Sequence, residues 1–247
     1  QYYNSHHPGK LNIGMKIMKI EKRIFWILAL CVGYSLAALA DNEINIEQTG
    51  DNLDLQIDQL GSSNIVQMLD NNSYINSSSL DIWIVQYNFG YENKIAIDEI
   101  SGTGNSIKLA QGAGWDSDGW TTDGYESGGH YIEMDLYGNN NEIQWHQTNQ
   151  TGSTDGHNFN LHIAGSDNSI IGRQQSDGVK EMELTIYNSF NDVLLRQKGN
   201  SATHSADIIL DGLYGTDFTL KQLGSTTQSY SISVDCLNPA GCSYDCL

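Results

Sequence analysis

Asn52-Leu53-Asp54-Leu55-Gln56-Ile57-Asp58-Gln59-Leu60-Gly61-Ser62-Ser63-Asn64 is the stretch that decides the fold. Leu55, Ile57 and Gln59 alternate with Gln56 and Asp58, and a period of two places the first three on one face of a strand. The Gln therefore points inward with the apolar pair. Gly61 and its polar neighbours then turn the chain.

The unit apolar, any, apolar, any, Gln recurs along the chain. It appears as Ile44-Ile46-Gln48, Leu55-Ile57-Gln59, Ile82-Ile84-Gln86, Ile107-Leu109-Gln111, Ile143-Trp145-Gln147, Val193-Leu195-Gln197 and Phe218-Leu220-Gln222, with a weaker copy at Ile170-Gly172-Gln174. Asn42, Asn105, Asn141, Asn168 and Asn191 each stand two residues before the first apolar position, and Asn52 sits one residue further back in its copy. Between these strands lie plain ones: Ile95-Ile97, Ile132-Met134-Leu136, Phe159-Leu161-Ile163, Met182-Leu184-Ile186 and Ile232-Val234. Leu136 to Ile143, Ile163 to Ile170 and Ile186 to Val193 share an offset of seven, so one turn geometry is expected at Gly138-Asn139-Asn140, Gly165-Ser166-Asp167 and Asn188-Ser189-Phe190. These residues adopt positive φ readily or favour turns.

From Gln59 onward the Gln-to-Gln spacings are 27, 25, 36, 27, 23 and 25. A period of about 25 residues holding two short strands and two tight turns is one coil of a repeat fold whose units must stack to bury their apolar faces. The expected fold is all-β, a two-strands-per-turn β-solenoid of about six to eight coils, roughly 35 Å long at a strand spacing of about 4.8 Å. Stacked coils also explain polar residues at inward positions, because identical amides in register satisfy one another as ladders. The predicted core amide ladder is Asn42, Gln48, Asn52, Gln59, Asn64, Gln86, Asn105, Gln111, Asn141, Gln147, Asn168, Gln174, Asn191, Gln197 and Gln222. A β-sandwich with surface amides would not keep Gln at the same place after each apolar pair.

Residues 1–14 read as an upstream artefact or fragment, since Met15 and Met18 are the first methionines. Residues 15–40 carry Lys16, Lys19, Lys22 and Arg23, an apolar run, and Ala38-Leu39-Ala40, the pattern of a cleaved secretory signal peptide. Residues 41–235 form the repeat body, with an insertion at 112–129, and 236–247 a cysteine-containing tail. Beyond residue 40, seven basic residues face 29 acidic ones, a net charge of −22 that disfavours nucleic acid and anionic membrane as partners. Cys236, Cys242 and Cys246 crowd the end of the chain. An odd number of thiols in an exported protein suggests one disulfide plus a free thiol, or an intermolecular bridge.

The segment from Asn52 to Asn64, with its Gln-x-Gly-x-x-Asn turn, resembles the repeat of curlins, the subunits of bacterial curli amyloid. Gln48-Thr49-Gly50-Asp51-Asn52, Gln197-Lys198-Gly199-Asn200 and Gln222-Leu223-Gly224 are similar. The resemblance implies secretion across a Gram-negative outer membrane through a channel with accessory factors. It also implies self-assembly with related curlin subunits into cross-β fibres, and a place in adhesion and biofilm matrix. Unequal repeat lengths, Gly172 and the terminal cysteines fit a minor or nucleating subunit better than a uniform major one. A virion surface protein with borrowed repeats is a rival that the signal segment disfavours.

The insertion offers Asp116, Asp118, Asp123 and Glu126 as oxygen ligands for calcium, and Trp115, Trp120 and Tyr125 as a recognition surface for carbohydrate or a partner protein. A solvated excursion from the wall is the plainer expectation. His130, His146, His157, His162 and His204 stand at no catalytic or metal-ligand spacing and are expected to face solvent. No enzyme is expected: solenoid polysaccharide lyases have longer, three-sided coils and charged clefts, whereas bases are scarce here. No cap is expected at the first repeat, and Asn238-Pro239-Ala240-Gly241 with the cysteines could cap or latch the last.

Overall fold

The computed structural model describes residues 42–46, 52–88, 91–116, 119–121, 127–149, 153, 155–175, 179–199, 204–223 and 228–246, with the side chains of 115, 116 and 119–121 left aside. Residues 1–40 and Gln48 lie outside the described residues. Among those described there is no helix, and parallel strands stack into a β-solenoid of about seven turns. The strands are β1 (Glu43–Asn45), β2 (Leu53–Leu60), β3 (Asn64–Met68), β4 (Tyr74–Ser78), β5 (Leu80–Tyr87), β6 (Asn93–Thr103), β7 (Ser106–Gln111), β8 (Gly114–Asp116), β9 (Gly119–Thr121), β10 (Tyr131–Leu136), β11 (Glu142–Gln144), β12 (Asp192–Leu194), β13 (His204–Ile209), β14 (Thr216–Leu220), β15 (Gln228–Ser233) and β16 (Cys242–Cys246).

Two walls face each other across one core. The amide wall, named for its Gln residues, runs β2, β5, β7, β11, then residues 169–174, β12, β14 and β16, joined by parallel pairing and by the bridges of Ser169 to Glu142 and Asp192. The plain wall runs β1, β3, β6, β10, residues 157–163, residues 180–186, β13 and β15. Among the described residues each wall thus has eight rungs. β4 continues the rung of β3 along β6, and the five residues between them loop out, closed by Asp70 Oδ1 accepting the N–H groups of Asn72 and Ser73.

The turns entering the amide wall repeat one device. Asn52, Ser79, Gly104, Asn140, Asp167, Phe190 and Gly241 all have φ between 53° and 84° and stand one or two residues before their rung. The three equal offsets in the sequence correspond to Asn140, Asp167 and Phe190. Gly138 and Gly165 occupy the same place one coil apart, and a Cβ there would lie 1.6 and 1.8 Å from the carbonyl oxygen of the next coil. Only glycine lets these corners stack.

Inward residues form continuous columns, such as Ile82, Ile107, Ile143, Ile170, Val193 and Phe218, each at most 1% exposed. Trp145 is fully buried and stacks on Phe159 at 3.4 Å between ring centroids. Gly172 lies on the adjoining rung, where a Cβ would sit 2.1 Å from Trp145 Cε3. The glycine that weakens the repeat in sequence makes room for an indole.

Two assignments differ from the sequence expectation. Ile44 and Ile46 belong to the plain wall, because β1 pairs with β3 and aligns Ile44 with Val66. The tail, expected as a cap or latch, supplies another rung: β16 pairs with β14, Thr216 aligned with Cys242 and Leu220 with Cys246.

Among the described residues the plain wall has a seam. No backbone hydrogen bond joins residues 158–162 to 181–185, whereas Tyr187 N–H to Ile163 O at 2.8 Å keeps the rungs in register at one end. A groove of about 430 Å³ opens there, lined by Asn158, Asn160, Glu181, Glu183 and Asp207 above Phe159 and Met182.

Candidate functional site

The repeat places three polar columns in the interior, and each has its own bonding. In the Gln column, Nε2 of Gln59 donates to Gln86 Oε1, that of Gln86 to Gln111 Oε1 and that of Gln111 to Gln147 Oε1, at 2.7, 2.7 and 3.2 Å. Gln147 then donates to the carbonyls of Tyr131 and His157. Gln197 donates back to Gln174 Oε1 at 3.1 Å, so the ladder reverses its direction between Gln147 and Gln174. Gln174 donates to the Asn158 carbonyl, and Gln222 to those of Ser205 and Gln228.

The Asn column runs through Asn105, Asn141, Asn168 and Asn191. Each Oδ1 accepts the backbone N–H of the next coil, at 2.9, 3.1 and 2.9 Å within the column and 2.9 Å from Thr216 N–H at its end. Nδ2 of Asn141, Asn168 and Asn191 donates to the preceding Oδ1 at 2.9 to 3.2 Å. The buried amides of Asn105, Asn141, Asn168 and Asn191 are thus paired, as burial requires. Asn42, Asn52 and Asn64 stand elsewhere. Asn52 is exposed at φ 61°, serving the turn. Asn42 Oδ1 accepts the N–H of Asn64 at 3.0 Å, in a third column at the head of the plain wall.

That third column changes chemistry along its length. It runs Asn42, Asn64, Asn93, His130, His157, Lys180, His204 and Gln228. Asn93 Oδ1 accepts the N–H of His130 at 3.2 Å, and His130 Nδ1 accepts that of His157 at 3.1 Å. An imidazole nitrogen thus replaces the Asn oxygen. His130, His157, Lys180 and His204 are at most 1% exposed, which overturns the expectation of solvent-facing histidines. Each lies two residues before the first apolar residue of its rung, on the inward parity, and that parity was the available signal.

Around His130 a polar corner collects Ser127, His146, Thr148, Asn149 and His157, all at most 6% exposed. Ser127 Oγ lies 2.9 Å from His130 Nε2, the distance of a nucleophile and its base. Its bonding argues against that role. Because His130 Nδ1 accepts a backbone N–H, the neutral ring holds its proton on Nε2 and donates to the hydroxyl. Burial, then His157 and His146, hold the His130 imidazole well below the usual histidine range. Burial, then the Arg173 charge and His157, lower His146 to about 3. These are neutral structural imidazoles. His146, expected outward, packs 3.1 Å from Thr148 Oγ1 at 6% exposure.

Among the described histidines His162 alone is partly exposed, with Nδ1 2.7 Å from Asp135 Oδ2 between the rings of Tyr137 and Tyr187. Burial foremost, with Asp98 adding to it and His162 opposing, raises the Asp135 carboxyl.

Cys236 and Cys242 form a disulfide with Cα atoms 5.8 Å apart, and Cys246 is a free, half-buried thiol against the last core residues. In the insertion, β8 and β9 form a small antiparallel hairpin with Trp115 opposite Trp120 and Asp116 opposite Gly119. Asp118, Asp123 and Glu126 lie outside the described residues. Among those described, no three His, Cys, Asp or Glu side chains are grouped to hold a metal ion.

The wall edges at the two ends are the remaining candidates. β1 and β2 begin the walls with Ile44 54% exposed and Leu53, Leu55 and Ile57 half buried. β15 and β16 end them with Tyr230 36% and Tyr244 43% exposed. No protein-family model, curated protein or solved structure matches the chain.

Proposed function

We propose that the chain is a secreted structural subunit of a curli-like extracellular fibre, which grows by stacking the first rungs of one copy on the last rungs of another. The observation that carries this reading is the phase of the two ends. Because the described residues give each wall eight rungs, β1 of an incoming copy fits against β15 while β2 fits against β16, and the described rungs of both walls continue in phase. In that register Ile44 covers Tyr230, Ile46 covers Ile232, Leu55 covers Tyr244 and Ile57 covers Cys246. Sheet edges that have no partner strand among the described residues can template further strands. Secretion, adhesion and the partner subunits follow from the resemblance of the repeat to curlins and belong to the proposal with it.

The test is assembly of the chain from residue 41 to 247, followed by thioflavin fluorescence, electron microscopy and fibre diffraction. Fibres with reflections near about 4.8 and 10 Å are the expected outcome. A stable monomer with β-type circular dichroism would overturn the reading. It would favour a single solenoid that displays the 112–129 insertion to a ligand.

A further inference from the structure

Bases are few in this chain, and their placement is uneven. Of the seven beyond residue 40, Arg173, Arg196, Lys198 and Lys221 point outward from the last coils of the amide wall. The pairing aligns Arg173 with Arg196 and Arg196 with Lys221, on consecutive rungs about 4.8 Å apart. In a chain with 29 acidic residues a carboxylate for each base would be easy to supply. Yet among the described residues the one ion pair is His162 with Asp135, and none of the four bases is in an ion pair with a described carboxylate. Among the described residues this is a row of cations without ion-pair partners on an acidic protein, available to a second surface.

The opposite wall carries the counterpart. Glu133, Asn160, Glu183 and Asp207 align on consecutive rungs of the plain wall, and Glu181 stands beside them. Of these carboxylates Glu181, Glu183 and Asp207 rim the groove at the seam, where the missing ladder bonds leave a depression of about 430 Å³. The two rows share one spacing, because both are set by the stacking of the same coils. A row with that spacing on a second copy can meet several partners at once, whereas a single surface pair contributes little.

We propose that the Arg173, Arg196 and Lys221 row docks side by side into the acidic groove of a second copy of this chain. The contact joins different faces of the two molecules, so it does not close and can add copies laterally. It is separate from end-to-end stacking and does not depend on it. Net charge opposes association at long range, so the contact needs enough salt to screen distant carboxylates. At about 0.1 M the screening length is about 10 Å, and at 1 M about 3 Å. Lateral association therefore peaks near the first and fades toward the second.

The test uses two charge-reversed variants, Arg173→Glu/Arg196→Glu/Lys221→Glu and Glu181→Lys/Glu183→Lys/Asp207→Lys, with sedimentation and fibre width as readouts and circular dichroism as the check on folding. Each variant alone should associate at least tenfold more weakly than the native chain at about 0.1 M salt, and their equimolar mixture should recover association. Glu181→Gln/Glu183→Gln/Asp207→Asn replaces the second variant if that one does not fold, and should also lose association. Native-like association of the first variant, or no recovery in the mixture, overturns the proposal. So does a native chain that stays single at about 0.1 M but binds a polyuronate, which would assign the row to an anionic polymer. Thioflavin-positive growth of the first variant into single-width fibres would leave end-to-end stacking intact and place the defect at the lateral contact.

Discussion

At Phe190 the turn asks for a left-handed backbone, φ 65°, from a residue whose ring is 70% exposed and packs little. The left-handed region costs an ordinary side chain about 1–2 kcal/mol. Phe190→Gly is therefore expected to raise stability by about 1 kcal/mol in urea denaturation, after the extra chain entropy of glycine offsets part of the gain. Gly172 is the converse case. Its missing Cβ is the space taken by Trp145, and that ring is held from behind by Phe159. Gly172→Ala should cost about 1–3 kcal/mol by overpacking, with a change in tryptophan near-ultraviolet dichroism. The sequence shows both residues as irregularities in a repeat. One is strain and the other a fit, and only the neighbouring coil tells them apart.

The Gln column is an element built across coils, and its bonds are directional. Gln111 accepts from Gln86 and donates to Gln147 and to the Lys94 carbonyl. Gln111→Glu keeps the shape but turns two acceptors toward a carboxylate. Burial and those acceptors should raise its folded-state pKa above the unfolded value of about 4.3. With the folded pKa raised, the variant loses stability as pH climbs through that interval. It should sit at least about 3 kcal/mol below the native chain at pH 7 and close much of the gap near pH 4. Denaturation of both proteins at the two pH values checks this. The strands of this wall were legible because Gln59, Gln86, Gln111, Gln147, Gln197 and Gln222 keep one residue type at one inward position. The third column was not, because the residue type at its inward position changes from Asn93 to His130 to Lys180. That Ile44 and Ile46 lie in the plain wall is not legible in the sequence for a related reason: an apolar pair followed by Gln48 fits either wall until strand pairing decides. The groove at the seam has no sequence signature, since it arises from ladder bonds that are not made.

Across the whole molecule, neutral imidazoles in the core make stability depend on pH. His130 and His146 titrate below the ordinary histidine value of 6.5 when folded, so below that value the unfolded chain binds more protons. Stability is full above about 6.5 and falls as pH drops, with His146 alone contributing about 2 kcal/mol of loss by pH 5. Acid also relieves repulsion among the carboxylates, so the expected result is a difference. Native protein should lose more between pH 7 and 5 than His146→Gln does, measured by thermal melting in one buffer series. The seam gives the molecule a preferred direction of bending. The amide wall is bonded straight through the level of Ser169 and Asp192, whereas the plain wall lacks its ladder between residues 158–162 and 181–185. A transverse load that opens the plain wall works against few bonds, and one that opens the amide wall must break a continuous ladder. The solenoid is stiff like a hinged ruler: rigid when pressed from one side, compliant at a single joint when pressed from the other.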